Sequence, residues 1–98
     1  MLKGTVCRMD GWRGYVVVLS ATTYNESPIA WGVLVAPITR HPAVAYGVAL
    51  IDDDPVAGHV RLTDIHSAER SDLSDPLGTL SPATQRRLDM ELQLLLDL

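Results

Sequence analysis

Short apolar runs separated by turn-forming residues fill the first two thirds of the chain, and a helical repeat takes over near its end. Residues 4–9 read as a strand, and residues 15–20 as a second one, rich in Val and bounded by Gly14 and the polar cluster at 21–28. Asp10-Gly11 and Gly14 supply turn chemistry between them, which predicts a tight hairpin. Residues 31–38 are apolar on both faces, the pattern of a fully buried central strand with Trp31 opening it inside the core. Pro37 cannot donate to a ladder, so regular pairing is expected to end near Ala36, with a bulge that re-aims Thr39. Residues 43–50 form the next strand candidate, stopped by Asp52-Asp53-Asp54-Pro55, which reads as a solvated turn. Residues 58–65 set Val60 and Leu62 against Arg61 and Thr63, and residues 71–75 suggest a short helical turn.

Helix signals are clearest from Ser81, an N-cap type followed by Pro82 at the first helical position and good helix formers to about Leu96. At about 100° per residue, Leu88, Leu92, Leu95 and Leu96 fall on one face and Met90, Leu94 and Leu98 on a second. The first face packs on a sheet. The second is either a contact with another copy or an apolar terminus folded back on its own strands. Five or so short strands and a terminal helix predict an α+β domain, mainly antiparallel β, with a small barrel-like sheet and a C-terminal α-helix. The 98 residues suit one domain spanning 1–98.

An apolar share of 47% with 20% charged residues excludes a disordered chain. A net charge of −4 argues against non-specific binding to long nucleic acids, where phosphate contacts dominate. A local basic groove is still open to it, because the acidic residues crowd into 52–54 and the segment from Glu69 onward, whereas Arg8, Arg13, Arg40 and Arg61 lie on or beside predicted strands. The lone Cys7 has no partner for an internal disulfide and reads as a buried thiol in a reducing compartment. No run approaches the roughly 20 apolar residues of a membrane span, and no signal pattern opens the chain, so no membrane partner is predicted and the cytoplasm is the expected location.

The abrupt end of an apolar strand in Thr39-Arg40 brings a hydroxyl and a guanidinium to the edge of a rigid core. RNA is cut without metal when its 2′-hydroxyl attacks the adjacent phosphorus; the protein must then help remove that proton, stabilise the phosphoryl oxygens and protonate the leaving 5′-oxygen. A planar guanidinium suits the second task because its fork of donors binds two oxygens at once. Thr39 is either part of such a phosphate site or a strand-end threonine bonded to nearby backbone. His41, two positions on, shares its face if the backbone stays extended, although Pro42 also makes it a plain loop residue. His59 and His66 flank the strand at 58–65, and Trp12, Tyr15 and Tyr24 are suited to stacking on unpaired bases. No Cys or His pair has ligand spacing, so neither a metal nor another cofactor is predicted.

Three segments, in order, resemble one family. Residues 33–40 (Val-Leu-Val-Ala-Pro-Ile-Thr-Arg), residues 20–25 (Ser-Ala-Thr-Thr-Tyr-Asn) and residues 78–98, from Gly-Thr-Leu-Ser-Pro-Ala-Thr into a Leu-rich helix, are similar to segments of the MazF/PemK toxins. That resemblance implies an SH3-like barrel and a sequence-selective, metal-independent endoribonuclease that cleaves single-stranded RNA (mRNA). It also implies a homodimer neutralised by a cognate antitoxin. Thr39 matches the family's active-site threonine. Arg13 is the only basic residue where the family's first loop carries its catalytic Arg or Lys, but here that loop has shrunk to 10–14, lacks the following proline, and sets Arg13 about one residue out of register. Arg8, Trp12, Arg40 and His41 are then candidate RNA contacts, with Arg8 or Arg40 as substitutes for Arg13. Asp64 and His66 join them because the family often carries an Asp-Gln or Asp-Asn pair near that segment. The alternative is a non-catalytic or degenerate toxin-like protein that binds a protein partner on the same fold, as the related CcdB-like toxins bind gyrase. The C-terminal Leu-Leu-Leu-Asp-Leu lacks the Trp those proteins use.

Overall fold

Val-rich runs with a period of two build the centre of the molecule. The structure is a computed structural model and describes residues 1–42 and 45–98. The chain forms β1 (Thr5–Met9), β2 (Tyr15–Val18), a short α1 (Thr22–Asn25), β3 (Val33–Thr39), β4 (Gly47–Ala49), β5 (His59–Arg61), β6 (His66–Ala68), β7 (Leu73–Thr79) and α2 (Pro82–Leu96). One antiparallel sheet runs in the order β4-β5-β3-β2-β1-β7, with β6 also paired to β3. The expected α+β class and C-terminal helix are present; among the described strands the order has two ends, β4 and β7, and does not close.

Alternation sends successive side chains to opposite faces, and here both faces are covered. Val6, Val17, Ala36 and Ile38 join Val48, Val60, Leu62, Leu80 and Leu88 in one core. Cys7, Val16, Val18, Val33 and Val35 join Ala68 in the other. This is why β2 reads as an unbroken Val run. Burial pushes the Cys7 thiol up from its ordinary value, which keeps it protonated and inert. Helix α2 closes the first core with Leu88, Leu92 and Leu95. Its N-terminus is capped as expected, with the Thr84 N–H donating to Ser81 Oγ at 3.2 Å.

The polar cluster after β2 has a structural use. Ser20 Oγ donates to Asn25 Oδ1, Asn25 Nδ2 donates to the Ser20 and Met1 carbonyls at 2.9 and 3.0 Å, and the Leu34 N–H donates to Ser20 Oγ at 3.1 Å. Buried Asn25 thereby ties the N-terminus, β2 and β3 together.

Several expectations need correction. Pairing does not end near Ala36: β3 continues to Thr39, with Pro37 opposite Val16. Leu34 directs both backbone groups toward β2, accepting from Leu19 N–H at 2.8 Å and donating to Ser20. Alternation therefore turns the Pro37 nitrogen the other way, into the interval between β6, which pairs as far as Val35, and β5, which pairs from Ile38. The missing N–H costs no ladder bond there. Trp31 is not core; it lies before β3 and is 95% exposed. Leu96 is exposed at 59%: at about 100° per residue it stands about 80° round from Leu88, at the edge of the stripe that Leu95 still buries. The strand expected at 43–50 is seen as β4; Ala43 and Val44 lie outside the described residues. The strand expected at 58–65 breaks after Arg61 into a 3₁₀ turn at Leu62–Asp64 and then β6. The helical turn expected at 71–75 is a 3₁₀ turn at Arg70–Asp72, followed directly by β7.

Asp54 is the largest departure from the solvated turn expected at 52–54. It is 9% exposed and accepts hydrogen bonds from the Ile51 N–H (2.9 Å), the Ser81 N–H (2.8 Å) and the Thr84 hydroxyl (2.7 Å). The carboxylate thus joins the β4–β5 loop to the N-terminus of α2, where the helix dipole favours negative charge.

Candidate functional site

Thr39 stands where β3 runs out of the core, and two adjoining cavities open there, of about 930 and 780 Å³. Arg13, Gly14, Ile38, Thr39 and Arg40 line both. Trp12, His41, Arg61 and Thr63 extend the first; Arg8, Tyr15 and His59 extend the second. The β1–β2 turn brings Arg13 to this edge. Gly11 at φ +81° makes the sharp reversal, the Trp12 N–H donates to the Met9 carbonyl (3.1 Å), and the Asp10 N–H donates to the Asp72 carbonyl (2.9 Å). Across the groove, Gly58 is held at φ +133° so tightly that a Cβ would lie 2.7 Å from the Thr39 carbonyl oxygen. Only glycine lets β5 approach the end of β3 in this way.

The predicted residues separate into groups. Thr39 is half-buried, and its hydroxyl donates to the His41 carbonyl at 3.0 Å, so donating to a ligand requires that bond to be exchanged. Arg13 and Arg40 are exposed, and among the described residues neither guanidinium has a protein partner. Arg8 lies over the Tyr15 ring, 4.7 Å from its centroid, and donates to Tyr15 Oη at 3.2 Å and the Arg13 carbonyl at 3.5 Å. It braces the turn. Trp12 lines the first cavity, with its indole N–H donating to the Tyr15 carbonyl at 3.3 Å. His41 lines the same cavity. Asp64 and His66 line neither: Asp64 pairs with Arg61 at 3.3 Å, and His66 lies by the Asp64 carbonyl and Met9 Sδ. The α1 residue Tyr24 is likewise remote.

Charge is distributed unevenly. Four of the chain's eight Lys and Arg residues, Arg8, Arg13, Arg40 and Arg61, line these cavities, and among the described residues no carboxylate does. An acidic protein has thus gathered a local field suited to a phosphate. Among the described residues, no group of three or more His, Cys, Asp or Glu is placed to hold a metal ion. Linings that the sequence did not assign to the site are His59, Arg61 and Thr63. Only strand register could have placed them.

A model of the PemK-like, MazF-like toxins of type II toxin-antitoxin systems matches residues 7–96. Among solved structures, the chain is 27% identical to an endoribonuclease in complex with its cognate antitoxin from a mycobacterial species, with a TM-score of 0.89 and coverage of 100% of this chain and 96% of that one. An endoribonuclease from a mycobacterial species is 26% identical, with a TM-score of 0.88 and coverage of 100% and 92%. The MazE-MazF structure from Deinococcus radiodurans, at 23% identity, TM-score 0.83 and coverage of 100% and 96%, shares the fold. A sequence comparison with curated proteins gives no match. With the family model spanning nearly the whole chain, this protein belongs to the PemK-like, MazF-like toxins of type II toxin-antitoxin systems.

Proposed function

We propose that this chain is an endoribonuclease toxin that cleaves single-stranded RNA at selected sequences in mRNA, without a metal ion, and that a cognate antitoxin neutralises it. The observation that carries this reading is the meeting of Thr39 and Arg13, from different elements, in both Arg-rich cavities. The RNA 2′-oxygen forms its bond to phosphorus as the bond from phosphorus to the 5′-oxygen breaks. Arg13 and Arg40 neutralise the phosphoryl oxygens, and Thr39 adds a hydrogen bond after leaving the His41 carbonyl. Water takes the proton that the 2′-hydroxyl loses and returns one to the departing 5′-oxygen. Residues 1–98 act as one toxin domain in the cytoplasm, its sheet an opened form of the SH3-like barrel; none of the described helices is long and apolar enough to cross a membrane.

Purified protein is expected to cut single-stranded RNA in the presence of a chelator, leaving a 2′,3′-cyclic phosphate and a 5′-hydroxyl, and to spare RNA blocked at the 2′-oxygen. Chelator-sensitive cleavage would contradict the mechanism, and absence of cleavage would favour the non-catalytic alternative.

The toxin acts as a homodimer. Met90 and Leu94 leave an apolar stripe 63 and 64% exposed on the outer side of α2, Leu98 is 88% exposed just past the helix's left-handed cap at Asp97, and Trp31 and Ile29 expose a second patch beside β3. Light scattering at micromolar concentration should give twice the monomer mass. A charged residue at Leu94 or Trp31 should lower it; the monomer mass for the unaltered chain would refute the assembly.

A further inference from the structure

We propose that His59 is a phosphate-binding residue of this site, donating a hydrogen bond from Nε2 to an oxygen of the RNA phosphate held by Arg13 and Arg40. The proposal rests on the ribonuclease reading above and assigns a donor that reading lacks. Strands β3 and β5 pair Thr39 directly with His59. Directly opposed side chains stand on the same face, roughly 5 Å apart at Cβ. Ile38 and Val60, the adjacent pair, fill the core on the opposite face and fix this register. Gly58, pressed against the Thr39 carbonyl, leaves no slack between the strands.

The surroundings of the imidazole determine which nitrogen it offers. Nδ1 is shut from solvent and has no hydrogen-bond partner, and it is the one buried side-chain atom so placed among the described residues. A neutral imidazole carries a single ring proton. On Nδ1 it would bury an N–H without an acceptor, whereas on Nε2 it leaves only a lone pair in the sealed position, and orphaned N–H groups are the rarer of the two in folded proteins. The ring therefore presents Nε2–H to the second cavity. The other polar groups there are Arg8 from β1, Arg13 from the turn, Tyr15 from β2, and Thr39 and Arg40 from the end of β3. Among the described residues, no carboxylate lines the cavity. An anion with acceptor oxygens is the ligand that such donors share.

Thr39 makes the contribution of His59 more useful. While the threonine hydroxyl is committed to the His41 carbonyl, the imidazole paired directly across from Thr39 lines the same cavity. His41 offers no equivalent: it is an exposed loop residue that lines the other cavity.

Neutral replacements separate the two nitrogens, since the amide nitrogen of glutamine falls near Nε2 and that of asparagine near Nδ1. The probe is a mixed-sequence 2′-O-methyl RNA oligonucleotide, which keeps its phosphates but cannot be cleaved. His59→Asn and His59→Ala should weaken its binding by about tenfold or more, the scale of a hydrogen bond to a charged group, and His59→Gln should stay within about threefold of the unaltered protein. If all three bind like the unaltered protein, or if His59→Gln binds as weakly as His59→Ala, the proposal is overturned. Should His59→Ala fail to fold, the glutamine and asparagine variants, checked by thermal unfolding, decide the matter alone. Binding with the expected pattern but no cleavage of unmodified RNA would sink the ribonuclease reading and support the phosphate role of His59. No binding by the unaltered protein would overturn both.

Discussion

Alanine at Thr39 or at Arg13 is expected to slow RNA cleavage by about a hundredfold or more, the usual scale for losing a donor to a transition state. The loss should fall on kcat as well as on kcat/KM, because the charge that both residues stabilise grows as the phosphorus becomes crowded. Folding should be little affected. Arg13 is exposed, and Thr39 gives up a single bond to a loop carbonyl. If both act on one phosphate, the double variant should be far less impaired than the product of the single effects, as residues that work as a unit are non-additive. Single-turnover cleavage of one RNA by the four proteins measures this. A normal rate for Arg13→Ala with a collapsed rate for Arg40→Ala would move the guanidinium's role to Arg40, the other cation that lines both cavities.

Asp54→Ala should cost ~3 kcal/mol of stability, since it strands the Ile51 and Ser81 N–H groups and the Thr84 hydroxyl where water has limited access. Burial pushes the Asp54 carboxyl up, but hydrogen bonds from Ile51, Thr84 and Ser81 outweigh it, and the net shift is downward. A carboxyl bound less tightly to its proton in the folded state stabilises the fold above its unfolded pKa, about 4, and loses that contribution as the pH falls through the lower folded value. Urea unfolding should therefore separate the unaltered protein from Asp54→Asn most widely near neutral pH, and by less and less as the pH falls below about 4. A gap that does not change with pH would show that the carboxylate's charge is not what the site uses. The same variants should cut RNA less well, because the loop that Asp54 anchors leads into Val56, Ala57 and Gly58, a wall of the second cavity.

The parts of this fold that could be read in advance are those whose residues decide their own environment. Ser81-Pro82 caps a helix whatever lies beside it, and the Val runs of β1–β3 must be buried somewhere. What the sequence hid depends on neighbours. Strand β7 is Leu-Ser-Asp-Pro-Leu-Gly-Thr, exposed along most of its length, and it tolerates Pro76 because it is an edge paired only to β1. Its ladder slips between Val6↔Gly78 and Arg8↔Ser74, so residues 75–77 bulge out, with Asp75 at φ +51°. No period-two pattern survives that. Trp31 was misplaced because its size and its position ahead of an apolar run suit a core equally well. That Thr39 and Arg13 line one groove was legible from the strand end and the order of the motifs. That His59 lies beside them was not, because only the pairing of β5 with β3 sets it opposite Thr39. Asp54 looked like part of an acidic turn until its partners, some thirty residues further along the chain, were in place.

The brevity of the β1–β2 turn sets the thermodynamic character of the site. Five residues, 10–14, are pinned by backbone bonds at Asp10 and Trp12, by the Trp12 indole on Tyr15 and by Arg8 on the Arg13 carbonyl. Little backbone entropy remains to be surrendered when RNA arrives, so the groove behaves as a rigid template that gives up mainly the rotamers of Arg13 and Arg40. The same brevity leaves this turn too short to fold over a substrate, so it cannot shield from water a phosphate held in the cavities. Its charge must then be balanced against a high dielectric, where each cation counts for less, and a cluster of arginines does the work that a sealed site assigns to one.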